Sequence, residues 1–246
     1  MIEICLEKQH KMVKDNRNLF EETEKLIKGE KIGIEIPEKL KRENIRFIRI
    51  AKDSKKPIDE RWSEINSNTQ YKYGDKILME WLANGNNYGV ICGYEGLIVI
   101  DVDKDGKELH DYIEQNFPKT FTVKTWSKEE YKKHYYYWNP NFKFVNLEII
   151  KNDEEIHFGE IRSTNVIQNT YPQVVGPGCH IFKKDENLEG EYSLERDLNI
   201  ISIEDKMLEE LCSKFATKEI LQAEKIKRET IKFEDSNIEN NLNHFR

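Results

Sequence analysis

The sequence predicts an α+β protein, a sheet with antiparallel pairs and helices on one face. Two patterns carry this prediction. Short runs rich in β-branched and aromatic residues (Ile45–Ile50, Tyr88–Cys92, Leu97–Val102, Phe121–Trp126, His134–Trp138, Ile156–Ile161) are bounded by glycine, proline or charged turns. Between them, Ile77–Ala83 and Lys107–Asn116 have helical character; Asn84-Gly85-Asn86-Asn87 stops the first, and the second ends before Pro118.

The elements follow in order. Met12/Val13, Leu19/Phe20 and Leu26/Ile27 recur at heptad spacing before Gly29, which reads as an amphipathic N-terminal helix. After the strand at Ile45–Ile50, Lys56-Pro57 opens a loop that ends near Trp62. Tyr88–Cys92 and Leu97–Val102 are expected to form a hairpin through Gly93-Tyr94-Glu95-Gly96. Ser127–Lys133 is a charged link between two strands, and Gln173–Val175 runs into Gly176-Pro177-Gly178. The pattern is helical from Ile203 to about Lys227, and the polar, asparagine-rich stretch after Glu229 is expected to be flexible or cut from something longer. The expected division is a helical extension over 1–38, a globular core over 39–203, and a helix with a tail over 204–246.

Composition narrows the class. With 35% charged and 37% hydrophobic residues in 246, the chain suits a soluble globular protein with charged flanks. No apolar run approaches the ~20 residues of a membrane span, and the first residues lack a signal peptide's basic and apolar regions. The cysteines Cys5, Cys92, Cys179 and Cys212 are scattered without a zinc spacing, so the cytoplasm is the expected compartment. A net charge of −7 argues against a surface coated for nonspecific nucleic-acid binding. Between Lys39 and Lys56, however, eight basic residues stand against two acidic ones. Arg42, Arg46, Arg49, Lys52, Lys55 and Lys56 are therefore candidates for holding a nucleic-acid backbone; a solvated face is the alternative.

The densest chemistry lies where Leu97–Ile100 runs into Asp101-Val102-Asp103. Residues two apart on a strand share a face, so two carboxylates project together from the end of an apolar strand. They repel unless a cation lies between them, and Mg2+ or Mn2+ prefers such oxygen ligands. A strand running out into a polar turn is the simpler alternative. Asp101, Asp103, Asp105 and Gly106 also match the opening of a calcium loop, but Tyr112 stands where that loop needs glutamate, and a strand precedes it rather than a helix.

Two further positions stand out. His134 opens the aromatic strand Tyr135–Trp138 and suits a polar site better than a core. Glu160 interrupts the apolar strand Ile156–Ile161 and needs a cation: Arg162 on the same face, or a metal shared with Asp101 and Asp103.

In order and spacing these segments resemble the primase-polymerase (prim-pol) branch of the archaeo-eukaryotic primase superfamily, of the kind found in replication proteins of archaeal plasmids and viruses. The similarity runs from about Phe47 to Ile203 and includes Lys55/Lys56-Pro57 with Trp62, Asn87–Gly93, Gly96–Asp103, Thr125-Trp126-Ser127 with His134, Glu160 with Arg162, and Val174–His180. Two departures are visible: Lys128–Lys133 replaces a short glycine-containing link, and Glu160 stands where aspartate is common.

The resemblance implies a catalytic sheet similar to an RNA-recognition motif packed on a smaller α/β unit, with helical extensions at both ends. It implies a DNA primase and/or DNA polymerase acting on single-stranded or primed DNA with NTPs or dNTPs, and a replicative helicase in the same or another chain. Asp101, Asp103 and Glu160 would hold two Mg2+ or Mn2+ ions, and His134, Ser127 and Arg162 would clamp the triphosphate, with Lys124 and Lys133 as further candidates. A catalytically inactive nucleic-acid-binding replication module and a metal-dependent nuclease are the other readings.

Overall fold

A computed structural model describes residues 33–151 and 154–216. The expected N-terminal helix and everything after Ala216, the tail included, lie outside the described residues. The apolar runs become strands, and their pairing produces an α+β fold with a mostly antiparallel main sheet.

A small sheet comprises β1 (Phe47–Arg49), β2 (Tyr88–Ile91) and β8 (Gln173–Val175), with β2 in the middle. Helix α1 (Lys76–Ala83) supplies Leu78 and Leu82 to its core, and Trp81 Nε1 donates to the Asn87 carbonyl at 2.8 Å. The main sheet runs β11 (Ser193–Arg196), β4 (Thr122–Lys124), β5 (Lys133–Trp138), β3 (Leu97–Val102), β7 (Glu154–Arg162), β6 (Val145–Lys151), with β12 (Ile201–Ser202) parallel to β5. Helices α2 (Lys107–Asn116) and α3 (Asp205–Phe215) complete the set.

The main sheet is covered on both faces, which explains why β3 reads as an unbroken apolar run rather than an alternating one. Ile98, Ile100 and Val102 join Tyr135, Tyr137 and Ile161 against α2 and α3. Leu97, Val99, Phe121, Val123 and Tyr136 pack instead with the small sheet. Helix α3 buries Leu208, Leu211, Cys212 and Phe215 in the same core as α2. The division expected at 204 therefore passes through a packed layer. No helix among the described residues is long and apolar enough to cross a membrane.

The hairpin expected between Tyr88–Cys92 and Leu97–Val102 does not form. β2 pairs with β1 and β8, whereas β3 pairs with β5 and β7. The link turns sharply instead, through left-handed Gly93 (φ +95°) and Gly96 (φ +82°). A Cβ on Gly93 would meet the Thr164 backbone nitrogen within 2.3 Å. The turn residues thus serve a change of sheet rather than a reversal within one.

A separate two-stranded hairpin, β9 (His180–Lys183) with β10 (Leu188–Glu191), leans over the main sheet. The 51–56 loop fastens it: His180 Nδ1 lies 2.8 Å from Asp53 Oδ1, and the Phe182 N–H donates to the Asp53 carbonyl at 3.0 Å. Asn87 bridges the two segments, donating through Nδ2 to the Ser54 and His180 carbonyls.

Candidate active site

Polar residues interrupt three neighbouring apolar strands at one level. Asp101 on β3 faces His134 on β5 and Glu160 on β7, so the three side chains form a row across the sheet. They project toward the small-sheet side, where Arg162 follows Glu160 on the same face of β7. The Arg162 Nε–H donates to Asp101 Oδ2 at 2.9 Å, and a terminal nitrogen of the same guanidinium lies 2.9 Å from Glu160 Oε2. His134 Nε2 is 3.3 Å from Asp101 Oδ1. His134 is 3% exposed, and its Nδ1 is buried without a hydrogen-bond partner.

A bulge sets this level. Gly159 pairs with Val102, yet the Asp103 N–H donates to the Phe158 carbonyl at 2.8 Å, and the β6–β7 register shifts at the same place. Gly159 has φ +154°, and a Cβ there would lie 2.1 Å from the Asp101 carbonyl oxygen. Only glycine lets β7 approach the acidic end of β3 this closely.

Asp101, Asp103 and His134 line a cleft of about 500 Å3 between the main sheet and the β9–β10 hairpin. Its walls carry Lys55, Lys128, Lys132 and Lys183 against Glu129 and Glu189, with Trp126 and Tyr192. The Lys55 and Lys183 ammonium groups lie 5.5 and 5.4 Å from the Trp126 ring centre, and Tyr192 packs on His134 with ring centres 5.4 Å apart. Asp103 is looser: its Oδ1 is 3.9 Å from Lys132 Nζ, and its Oδ2 is 3.4 Å from His157 Nε2.

Burial and neighbouring charge push the two facing carboxylates apart. Burial raises the Asp101 carboxyl, but the charges and hydrogen bonds of His134 and Arg162 outweigh it and hold Asp101 well below the usual carboxylate range. Glu160 is raised, first by burial and also by the charge of Asp101, with Arg162 offsetting only part. The Arg162 guanidinium is held firmly protonated: burial lowers it, but Asp101 and Glu160 more than compensate.

The remaining sequence candidates divide by face. Ser127 lines the cleft and hydrogen-bonds Glu129. Lys133 does not line it: one residue from His134, it points to the opposite face and binds Glu195 Oε1 at 2.6 Å. Lys124, opposite Lys133, pairs with Glu130. Both are therefore turned away from Asp101, because a single step along a strand reverses the face. In the basic stretch, Arg46 stacks on Tyr94 at 4.3 Å and donates to its hydroxyl, while Arg49 is paired with Asp59. Lys52 and Lys56 are exposed, Arg42 is half-exposed, and Lys55 faces the cleft. Sequence reasoning named Trp126 only within the Thr125–Ser127 motif and missed Lys132, Lys183 and Tyr192.

The donor set suits a hard divalent cation in part. Two carboxylates on one cleft, with room for phosphate oxygens to complete the shell, fit Mg2+ or Mn2+. Glu160 does not join them. It lines a second cleft on the other side of Arg162 and is committed to that guanidinium. Among the described residues no group of three or more His, Cys, Asp or Glu side chains is gathered to hold a metal.

An anionic floor beneath a lysine-bearing rim, set between two sheets, is the kind of cleft a phosphate-handling enzyme presents. Residues 38–197 match the family model of the bifunctional DNA primase/polymerase N-terminal domain, Prim-Pol, and the chain belongs to this family, within the archaeo-eukaryotic primase superfamily. A primase/polymerase-type function follows in general terms from that membership. A comparison with curated proteins finds no match.

Proposed function

We propose that this chain is a DNA-dependent nucleotidyltransferase, a DNA primase and/or DNA polymerase that adds nucleotides to a 3′-hydroxyl during DNA replication. The observation that carries the reading is the row His134–Asp101 at the floor of a cleft ringed by Lys55, Lys132 and Lys183. The cleft has the charge for a triphosphate: cations at the rim and carboxylates where a divalent ion would bridge to it. His134 lines the same cleft, and its buried Nδ1 lacks a hydrogen-bond partner among the described residues.

Asp101 and Asp103 would hold Mg2+ or Mn2+, which in such enzymes activates the attacking hydroxyl and neutralises the leaving pyrophosphate. The protein's own groups do the rest. Arg162 and His134 keep Asp101 ionised, so the carboxylate is ready as a ligand at any physiological pH. Lys55 and Lys183, braced against Trp126, hold and orient phosphates. Ser127 at the rim adds a hydroxyl. The exposed Lys52 and Lys56 beside the cleft suit a template backbone. In this reading the main sheet with α2 and α3 is the unit similar to an RNA-recognition motif, and the partners are single-stranded or primed DNA, NTPs or dNTPs, and a replicative helicase.

A second reading, a nucleic-acid-binding module without catalysis, draws on one observation: Asp101 already has two cationic partners in the protein itself. Primer extension with labelled dNTPs and NTPs, in Mg2+ and in Mn2+, separates the two. Incorporation that disappears in Asp101→Asn is expected. DNA binding with no incorporation in either metal would leave the binding module.

A further inference from the structure

We propose that the second cleft, on the β6–β7 side of Arg162, seats the 3′-terminal nucleoside of the strand being extended and grips it by its base. The proposal rests on the polymerase reading above and names a substrate subsite within it.

This cleft has a volume of about 440 Å3; Arg162 lines both clefts, and Glu160 lines this one. Its chemistry is of a different kind. Apart from those two residues its lining is uncharged: the aromatic rings of Trp62, Phe144 and Tyr171 alternate with the amides of Asn146 and Gln168 and the hydroxyl of Thr170. A triphosphate finds no seat here, because the one cation is already shared between Asp101, Glu160 and the Gln173 carbonyl. A base suits it well. Aromatic faces stack on any base, and amides offer donors and acceptors at fixed spacing to a base edge.

The hydrogen-bonding capacity is also unspent. The side-chain amides of Asn146 and Gln168, the Thr170 hydroxyl and the Trp62 indole N–H have no partner within the described protein. Glu160 Oε2 is buried against the Arg162 guanidinium, and Asn146 stands directly opposite Glu160 across β6 and β7. Aromatic faces and amides without protein partners, lining one cleft beside the acidic row, suit a ligand better than packing.

Position decides which base. Asp101 lines the first cleft, its cross-strand neighbour Glu160, about 5 Å away along the sheet, lines the second, and Arg162 lines both, so the two clefts adjoin. Joining two nucleotides requires the 3′-oxygen and the α-phosphorus to approach to about 3–3.5 Å, with one nucleoside on each side of the reacting atoms. The lysine-ringed cleft takes the triphosphate side. The nucleoside that bears the attacking hydroxyl then falls in the uncharged cleft beyond Arg162.

The test uses the full chain in EDTA and a short single-stranded DNA carrying 2-aminopurine at its 3′ end, followed by fluorescence. Asn146→Ala, which removes no side-chain hydrogen bond among the described residues, and Trp62→Leu, both checked by melting, are expected to weaken binding of this probe at least tenfold. Both are expected to bind a labelled nucleoside triphosphate as wild type does. Two outcomes overturn the assignment: unchanged probe affinity in both variants, or an equal loss for the triphosphate. A response only when the 2-aminopurine is internal also overturns it, since the seat would then belong to a template base. A wild-type protein that extends primers while the variants bind the probe normally sinks this subsite alone. A wild type that never extends any primer sinks the polymerase reading beneath it.

Discussion

Asp101 and Glu160 stand directly opposite each other on β3 and β7, one held far more acidic than usual and the other less acidic. A single guanidinium is shared between them at 2.9 Å from each, and Asp101 has His134 as a second cationic neighbour. Two facing carboxylates with opposite shifts do not have interchangeable roles.

Asp101→Asn is expected to destabilise the metal-free protein. It strands a cation for which a fully buried pair would cost ~3–5 kcal/mol; Arg162 keeps Glu160 and some solvent, so about 1–3 kcal/mol is expected. The pH dependence follows from the sign of the shift. A lowered carboxyl stabilises the fold above its unfolded value, ~3.9, and that stabilisation is lost as pH falls through the still lower folded value. The difference in Tm between wild type and variant should be flat from neutral pH down to about pH 5 and shrink below about pH 4. A constant difference down to pH 2.5 would contradict the assignment.

Glu160→Gln should behave in the opposite way. A raised carboxyl favours the fold only below its unfolded value and loses that contribution as pH rises through the folded one. At neutral pH the neutral amide removes a penalty, so Tm in EDTA should be no lower than in wild type. Mn2+ binding, measured by calorimetry, should weaken, because Arg162 is left with Asp101 as its one carboxylate and competes harder for it. A fall in Tm of more than about 5 °C would show that Glu160 is chiefly a structural partner of Arg162.

His134→Ala should raise the Kd for nucleoside triphosphate by roughly tenfold to a hundredfold, the loss of one charge-assisted phosphate contact. Affinity for single-stranded DNA should change much less. Equal losses for both ligands would return the residue to packing against Tyr192.

Lys183→Ala and Lys133→Ala make a paired comparison. The first should weaken triphosphate binding and its salt dependence. The second should leave binding intact, because its ammonium sits across the sheet on Glu195. Binding that responds to Lys133 and ignores Lys183 would mean the ligand lies on the helical face.

Gly159→Ala puts a methyl carbon 2.1 Å from the Asp101 carbonyl oxygen, so the strands must part. A loss of several kcal/mol, on the order of 3, is expected in denaturant melts. A variant as stable as wild type would mean the bulge is soft.

Much of this was legible in the residues. β3 is apolar up to Asp101 because both faces are covered, and for that reason Asp101 is conspicuous where the run breaks; Glu160 interrupts its strand in the same way, and His134 opens the aromatic run of β5. The partnership of β2 was not legible, since a glycine-rich turn reads alike whether it reverses a strand or carries it to another sheet. Nor were β9 and β10: in Leu188-Glu189-Gly190-Glu191 half the residues face solvent, and the hairpin owes its place to Asp53 and Asn87. Lys133 shows the narrowest margin, for it differs from His134 by one residue and by an entire face.

The pairing of β2 with β8 carries a consequence for how the chain assembles. Val90 waits for Val174, and the 51–56 loop waits for His180, so the small sheet cannot close until nearly all of the main sheet has been made. Pairings that span so much sequence pay their loop-closure entropy late and fold slowly. During synthesis β1 and β2 emerge early with an unsatisfied edge, and a chain cut between Arg162 and Gln173 keeps the acidic strand but lacks the wall that makes it a cleft.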